Sequence, residues 1–433
     1  MHKIEQLLQT LAPKGVGFRK LGDIILSLKT GLNPRKFFKL NTPNANNYYV
    51  TVRELEEHTI KFTHQTDRID DNALSLCLKR SNLEKDDILF SGTGTIGKVS
   101  IIKENPNNWA IKEGIYSIKP NKKIVFPRFL MFCFENLNIQ NDIKSKSFGG
   151  IVKSISMNDL QQITIPIPPL EIQQEIVTIL DAFTELNTEL NTELNARKKQ
   201  YQYYQNMLLD FNDINQSHKD AKEKLAQKPY PKRLKTLLQT LAPKGVGFRK
   251  LGEVLEYDQP NKYCVTSKEF DKSYPTPVLT AGKTFILGYT NEKDNIYQAS
   301  KNAPVIIFDD FTTATQWVDF PFKVKSSAMK ILLPKNPTIN IRFIFFYMQT
   351  IPYNIGGEHA RHWISRYSQL EVPIPPLEIQ QEIVTILDQF SLLTTDLLAG
   401  IPAEIKARKK QYEYYREKLL TFKPLTPNKE VKK

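Results

Sequence analysis

The stretch PIPPLEIQQEIVTILD occupies residues 166–181 and returns, letter for letter, at residues 373–388. We call it the proline block. Proline is tolerated in the first turn of a helix, and the glutamate that follows each Pro-Pro pair suits the positive N-terminal end of a helix dipole. Each copy therefore predicts the start of a helix. An identity of this length excludes coincidence, so the chain contains an internal repeat.

Two other stretches also occur twice. They are the glycine block, LLQTLAPKGVGFRKLG (residues 7–22 and 237–252), and the tyrosine segment, RKKQYQYY at residues 197–204 and RKKQYEYY at residues 408–415.

Between these repeats, residues 23–165 and 253–372 differ in length and in almost every position. A gene duplication that drifted uniformly would not preserve the blocks while erasing what lies between them. We therefore interpret the chain as one framework, present twice, that carries two unlike variable domains.

The variable domains have the pattern of mixed α/β folds, with short apolar runs punctuated by Gly, Asn and Pro and followed by an aromatic-rich helix. A Gly-Gly pair stands at the same distance before each proline block, at Gly149 and Gly150 and at Gly356 and Gly357, which predicts a similar fold for both domains. The predicted strands are residues 87–90, 99–102, 115–118, 305–308 and 328–333, and the predicted helices are residues 126–135 and 342–348.

The predicted boundaries follow the repeats. A first α/β domain covers residues 1–165, a long helix 166–211, a polar linker 212–234, a second α/β domain 235–372, a second long helix 373–423 with a kink near Gly400 and Pro402, and a polar tail 424–433.

Each long helix has a single narrow apolar stripe, with steps of three and four residues. Such a stripe calls for a partner helix, and the other copy is the obvious candidate for a coiled-coil-like pair. The residues predicted to form this framework are Ile172, Ile176, Phe183, Tyr201, Tyr204, Ile379, Ile383, Phe390, Tyr412 and Tyr415.

The first helix contains TELNTELNTELN at residues 184–195, three tetrads in a row. Each tetrad would add about 6 Å of helix. Two explanations of the tetrads remain open. They arose by replication slippage in a solvent-exposed helix that tolerates insertions, or they form a spacer whose length matters for function.

The composition indicates a polyanionic partner. Sixty Lys and Arg against 46 Asp and Glu leave a formal charge of +14, which favours nucleic acid first and an acidic membrane surface second. The three cysteines lie far apart, and no signal peptide or membrane span is predicted. We expect a protein of the cytoplasm that has no contact with membranes.

FSGTGTIGKV at residues 90–99 resembles nucleotide-binding and methyltransferase loops, but those need a helix directly after the glycines. Here a β-branched run follows, which predicts a strand–loop–strand turn. No paired acid and base, activated nucleophile or metal-ligand set is recognisable. We therefore predict no catalytic residue, no metal and no cofactor on this chain.

Basic residues cluster near the Gly-Gly pairs and are candidate contacts to DNA phosphates or bases, against the alternative of an ordinary solvated basic face. They are Lys144, Lys146 and Lys153 with Lys98 of the glycine turn in the first half, and Arg361, His362 and Arg366 in the second.

The repeated blocks with unlike inserts resemble the specificity subunits of type I restriction–modification enzymes, over essentially the whole chain. The resemblance implies two target recognition domains, each reading half of an interrupted DNA site. It also implies two antiparallel helices that set the half-site spacing and dock two modification subunits. S-adenosylmethionine, ATP and Mg²⁺ would then belong to partner subunits, including restriction subunits where these are present.

The family has members with tetrad repeats in this helix, so the resemblance favours the spacer. The second helix departs from the first, because residues 399–405 stand in place of tetrads. A sequence-nonspecific DNA-binding adaptor is the alternative function, and a self-contained methyltransferase or nuclease has the least support.

Overall fold

The computed structural model describes residues 2–215, 220–267, 269–280, 284–352, 361–395 and 400–425. The chain divides into two compact units. The first combines Met1–Leu190 with Ile405–Lys433, and the second is Asn191–Glu404. The predicted Gly-Gly pair at 356 and 357 and most of the predicted polar tail lie outside the described residues.

The helices, in chain order, are α1 (His2–Leu11), α2 (Leu21–Ile24), α3 (Pro34–Phe37), α4 (Asp71–Ser81), α5 (Pro127–Cys133), α6 (Leu137–Ser145), α7 (Met157–Gln161), α8 (Leu170–Leu209), α9 (Ala221–Gln227), α10 (Lys232–Leu241), α11 (Leu251–Val254), α12 (Ile341–Met348), α13 (His362–Ser365), α14 (Leu377–Thr395) and α15 (Ile401–Leu420).

The strands are β1 (Gly17–Lys20), β2 (Ile25–Thr30), β3 (Asn47–Val50), β4 (Leu55–Glu56), β5 (Thr59–Ile60), β6 (Arg68–Ile69), β7 (Ile88–Ser91), β8 (Val99–Ile101), β9 (Trp109–Ile111), β10 (Ile115–Pro120), β11 (Thr164–Ile167), β12 (Phe248–Lys250), β13 (Leu255–Asp258), β14 (Thr276–Leu279), β15 (Ile286–Thr290), β16 (Val305–Asp309), β17 (Thr315–Val318), β18 (Lys323–Val324), β19 (Met329–Pro334) and β20 (Glu371–Pro373).

The two variable domains have matching sheets. A four-stranded antiparallel sheet has the order β2-β10-β7-β8 in the first unit and β13-β19-β16-β17 in the second. Each unit adds a mixed three-stranded sheet, β6-β3-β9 or β15-β14-β18. The prediction of two α/β domains with a similar fold is confirmed.

The aromatic-rich helices α5 and α12 anchor each variable domain to its unit. Phe129 and Phe132 of α5, like Phe343 and Phe346 of α12, are almost fully buried. Each packs in a core that also contains the start of a long helix, so the variable domain and the framework share one hydrophobic core in each unit.

The repeated blocks pair with each other inside each unit. Strand β1 of the first glycine block pairs antiparallel with β11, which leads into the first proline block, and β12 pairs with β20 in the same way. These pairs hold the two ends of each variable domain together. The inserted domain can therefore vary while the framework remains unchanged.

Each glycine block is also hydrogen-bonded to the backbone of the segment that follows a tyrosine segment. The backbone N–H of Val16 donates to the carbonyl oxygen of Lys423 (2.9 Å), and that of Val246 donates to Ile214 (2.7 Å). Gly15 has a φ of +109°, and a Cβ on it would lie 2.7 Å from the carbonyl oxygen of Pro424. Glycine is required here both by the backbone conformation and by the close approach of the second segment.

The first long helix is continuous as predicted, since α8 runs for 40 residues. In the second copy α14 ends at Thr395 and α15 begins at Ile401, with residues 396–399 outside the described part. Pro402 lies in the first turn of α15, where proline favours a helix start. The interruption expected near Gly400 and Pro402 therefore coincides with the beginning of a new helix.

The stretch predicted as a polar linker, residues 212–234, has more structure than its composition suggests. It contains a 3₁₀ turn at Asn212–Ile214, helix α9 and the start of α10. Leu225 and Tyr230 are buried in the core of the second unit. Apolar side chains spaced between many charges were enough to fold these residues onto the unit.

Candidate nucleic-acid interface

The glycine turn of the first unit joins two antiparallel strands, β7 and β8, as the sequence predicted. Gly94 and Gly97 have φ values of +78° and +89°, which favour glycine. At Gly92, a Cβ would overlap the ring of Tyr116. The glycines thus serve a tight turn and close packing. No helix N-terminus follows them, so the turn lacks the geometry of a phosphate cradle.

A second loop, residues 148–154, lies against this turn, and we call it the tip loop. The backbone N–H of Gly94 donates to the carbonyl oxygen of Lys153 (2.8 Å), and that of Ile155 donates to Gly92 (2.9 Å). Lys98 and Lys153 are exposed. The structure therefore brings these two predicted contact residues onto one pair of joined loops.

Lys144 and Lys146 lie at the C-terminal end of α6, shortly before the tip loop. Lys144 is exposed, whereas the ammonium of Lys146 lies 2.5 Å from Oδ1 of Asp142, one turn earlier. The first unit thus offers three exposed lysines near the loops and a fourth whose charge is paired.

The second unit repeats the arrangement with different residues. Asp310 lies in the turn between β16 and β17. Its carbonyl oxygen accepts from the backbone N–H of His362 (2.9 Å), and its carboxylate Oδ1 accepts from the backbone N–H of Trp363 (2.9 Å). Arg361 and Arg366 are exposed, but His362 is only 3% exposed. Of the three predicted contacts in this half, the structure presents the two arginines at the surface and buries His362.

A buried ion pair lies beneath that turn. The ammonium of Lys330 is 3.7 Å from Oδ2 of Asp310, and both residues are almost fully buried. Burial lowers the pKa of Lys330 and nearby Arg361 lowers it further, while Asp310 opposes the shift. Buried ion pairs add little net stability, so the pair is better explained as positioning the turn beside Arg361.

The first unit has uncharged residues at the same sites. Tyr116 is the ladder partner of Phe90, as Lys330 is of Phe308. The hydroxyl of Tyr116 donates to the carbonyl oxygen of Ile155 (2.6 Å). The same loop is therefore fixed by a phenol in one domain and by an ion pair in the other.

The proline block holds each variable domain through a buried glutamine that the sequence analysis did not single out. Oε1 of Gln173 accepts from the backbone N–H of Phe126 (2.8 Å), and Nε2 donates to the carbonyl oxygens of Ile124 (3.1 Å) and Pro168 (2.8 Å). Gln380 makes the equivalent three bonds in the second unit. All of these partners are backbone atoms, so the contact demands no particular side chain from the variable domain.

An aspartate of the same block adds one side-chain requirement. Arg128 of α5 donates from Nε to Oδ1 of Asp181 (3.0 Å), and Arg342 of α12 does the same to Asp388 (2.9 Å). Polar residues preserved inside an otherwise apolar repeated helix start are the signal that could have identified these contacts.

The predicted framework residues lie within the two units. Ile172, Ile176, Ile379 and Ile383 are fully buried. Tyr201, half-buried, packs on the second core. The other five form aromatic contacts between helix segments: Phe183 with Tyr412 and Tyr415, and Tyr204 with Phe390.

Each tyrosine segment also exposes one ring. Tyr203 is 59% exposed and Tyr414 is 61% exposed, and the two occupy the same position of the repeat. Each borders a groove in its own unit, about 520 Å³ beside Tyr203 and about 990 Å³ beside Tyr414. An exposed aromatic ring beside a groove is a typical feature of protein-binding surfaces.

A histidine–glutamate pair in the first unit also escaped the sequence analysis. His58 Nε2 lies 2.7 Å from Oε1 of Glu135, and Oε2 of Glu135 accepts from the hydroxyl of Tyr412 (3.1 Å). Burial opposes ionisation of Glu135, but His58 and Arg416 outweigh it and lower its pKa. The pair thus ties the β4–β5 turn to α15.

No group of three or more His, Cys, Asp or Glu side chains in the described part of the chain could hold a metal ion. None of the described helices is long and apolar enough to cross a membrane.

The sequence pattern of the family described as the type I restriction modification DNA specificity domain matches residues 13–200 and 243–407. These two ranges cover most of the chain and contain both variable domains. The protein therefore contains two DNA specificity domains of this type.

The chain belongs to the family of type I restriction–modification specificity subunits. The expectation of a recognition component rather than a catalytic one agrees with this membership.

Individual relatives support the assignment. The EcoR124I/EcoR124II specificity subunit of Escherichia coli is 55% identical over 188 residues, which is 41% of this chain and 45% of that subunit, so the match spans less than half of its length. A type I specificity subunit of Haemophilus influenzae is 31% identical over 68% of this chain and 72% of its own. The crystal structure of a type I S subunit from M. genitalium shares the fold, with a TM-score of 0.56 at 16% identity, over 94% of this chain and 96% of that one.

Proposed function

We propose that the two variable domains each read one half of an interrupted DNA site. The observation that carries this proposal is the repetition of one loop arrangement on two unlike domains. In both units a basic segment before the proline block is hydrogen-bonded to the turn of a central hairpin, at Gly92 and at Asp310. The side chains around these turns differ, so the two domains would read different bases.

The positive charge of the chain suits this role. Contacts from Lys and Arg to phosphates position a protein on the duplex, whereas contacts to base edges in the major groove determine sequence preference. Lys98, Lys144, Lys153, Arg361 and Arg366 are exposed and supply the first kind of contact. Lys146 contributes when a DNA phosphate replaces Asp142 as the partner of its ammonium. The buried His362 contributes only by positioning its loop, because its backbone N–H donates to Asp310.

The helical framework has two further roles in the proposal. The length of α8 sets the spacing between half-sites, with the TELN tetrads as adjustable length. The grooves beside Tyr203 and Tyr414 dock two copies of one modification subunit, because the exposed tyrosine of a repeated segment borders each of them. S-adenosylmethionine, ATP and Mg²⁺ would act on the modification and restriction subunits, and this chain would contribute recognition and assembly without catalysis.

Mapping methylated adenines across the genome, with and without this gene, tests the proposal. We expect one interrupted motif to lose its methylation when the gene is deleted. Methylation that stays unchanged would contradict the assignment. DNA binding by the assembled complex that depends strongly on salt but prefers no sequence would instead identify a nonspecific adaptor.

The role of α8 as a spacer has its own test. Deleting residues 188–191 removes one tetrad and about 6 Å of helix. We expect the half-sites to remain and the gap between them to shorten. Substituting the same four residues with alanine is the matched control, because it keeps the length and should keep the gap. An unchanged gap in the deletion variant would contradict the spacer.

A further inference from the structure

The tip loop exposes an unusual amount of apolar surface. Ile151 is 105% exposed, Val152 60% and Phe148 58%. Large aliphatic side chains in water at the end of a loop gain nothing for folding, and clustered exposed apolar groups usually mark a binding site. Their position, next to the glycine turn with its exposed Lys98, indicates where the partner lies.

The loop is held in a defined shape despite this exposure. Phe148 and Ser154 exchange two backbone hydrogen bonds of 2.8 Å, which close a small hairpin. Gly149 has a φ of +104°, and a Cβ on it would lie 2.5 Å from the carbonyl oxygen of Val152. Glycine is therefore needed for the turn that presents Ile151 and Val152.

The base of the hairpin is attached to the central sheet. Lys153 and Ile155 bond to Gly94 and Gly92 of the glycine turn, and the hydroxyl of Tyr116 on β10 holds Ile155. A loop fixed on a rigid sheet can place two side chains accurately, at little entropic cost on binding.

DNA is the occupant that the surroundings favour. Lys98 and Lys153 on the joined loops, with Lys144 shortly before them, give this end of the first unit a positive charge suited to phosphates. Aliphatic side chains cannot bond the polar edges of bases. In the major groove, the C5-methyl group of thymine is the apolar feature that identifies a base pair.

We propose that Ile151 and Val152 contact thymine methyl groups in the major groove of the half-site read by the first domain. The inference rests on the proposed function and adds to it a base preference at specific residues. Lysines around the loop would hold the phosphates while the tip reads the methyl groups.

The experiment uses the full chain assembled with its modification subunits, on a duplex that contains the motif found by methylation mapping. Binding is compared at one fixed salt concentration between this duplex and duplexes in which uracil replaces thymine in the first half-site. Uracil removes only the methyl group. The protein variants are Ile151→Ser and Val152→Ser, with Ile151→Val as the conservative variant.

We expect each serine variant to weaken binding to the thymine duplex by about tenfold. Replacing thymine with uracil should cause a similar loss in the unchanged protein and little further loss in the serine variants. Ile151→Val should retain most of the affinity. Leu26→Ser is the control, because Leu26 is 64% exposed in the same unit but lies on β2, outside the tip loop.

Several results would overturn the inference while leaving the proposed function intact. These are unchanged binding by both serine variants, equal losses on thymine and uracil duplexes, or a first half-site without any thymine. Equal losses would place the tip against the sugar–phosphate backbone, between base steps or on a partner subunit. If the unchanged complex prefers no sequence at all, the proposed function itself fails.

Discussion

Phe183 stacks on Tyr415, with ring centroids 5.4 Å apart and an interplanar angle of 26°. Their counterparts, Phe390 and Tyr204, stack at 4.9 Å and 23°. In each pair the phenylalanine follows one copy of the proline block and the tyrosine belongs to the other copy of the tyrosine segment. Each compact unit is therefore built from both halves of the repeat.

The first prediction concerns this stacking. Phe183→Leu and Tyr415→Leu should each destabilise the first unit, and the double variant should lose less than the sum, with a coupling of about 0.5–1.5 kcal/mol. Urea titrations with hydrogen exchange of peptides from each unit would measure it. Leu76→Ala, at an exposed leucine of α4 in the same unit, should change stability by less than about 0.5 kcal/mol. Fully additive losses would contradict the contact.

The second prediction concerns the glutamine of the proline block. Gln380→Ala should destabilise the second unit by about 3 kcal/mol, because the backbone groups of Asn340, Thr338 and Pro375 lose their partner in a buried site. The adjacent Gln381 is exposed, so Gln381→Ala should have little effect on urea unfolding. Similar losses in both variants would show that the bonds of Gln380 do not anchor the domain.

The third prediction concerns the buried ion pair. Asp310→Ala should cost about 3–5 kcal/mol in urea unfolding, because the charge of Lys330 then stays buried with only the neutral side chain of Gln259 as its partner. Adding Lys330→Met should recover most of that stability. If Asp310 positions the segment of Arg361, the double variant should still lose selectivity for the second half-site while keeping the first. Methylation mapping of cells that carry the double variant would show whether it does.

The fourth prediction is a dependence on pH. Although burial opposes it, hydrogen bonds from the backbone of Ser267 and the ammonium of Lys323 lower the pKa of Glu292 from its ordinary value of 4.5 to about 2. The folded state therefore binds fewer protons than the unfolded state between these values. The stabilisation should be complete above about pH 4.5 and disappear as the pH falls toward about 2.

Glu292→Gln should flatten this acid-dependent part of the stability profile, measured by urea unfolding across that pH range. Glu371→Gln, at an exposed glutamate of β20, should leave the profile unchanged. A profile that keeps its full slope in Glu292→Gln would assign the acid sensitivity to other carboxylates.

Most of the fold could be predicted from the repeated segments of the sequence. Identical blocks predicted one framework, apolar steps of three and four predicted α8, and β-branched residues after Lys98 predicted a strand where a nucleotide-binding loop would need a helix. These signals are local, so periodicity and turn chemistry were sufficient to read them.

The contacts that depend on tertiary structure could not be read in this way. Nothing near Asp310 in sequence indicates Lys330 or His362, which approach it only through the sheet. His58 and Glu135 are separated by 77 positions and meet through the packing of α5 against β8. Residues 220–234 have a polar composition because their charged side chains outnumber the few apolar side chains that become buried.

The hydrogen bond from the backbone N–H of Val16 to the carbonyl oxygen of Lys423 joins the two ends of the chain in the first unit, and this affects how the protein folds during synthesis. All residues of the second unit are synthesised in one uninterrupted stretch, whereas the first unit needs α15 and the segment after it. A nascent chain can therefore finish the downstream domain while the upstream one waits for its last helix, the reverse of the usual N-to-C order of domain folding. Until translation reaches that segment, the upstream core stays open to solvent.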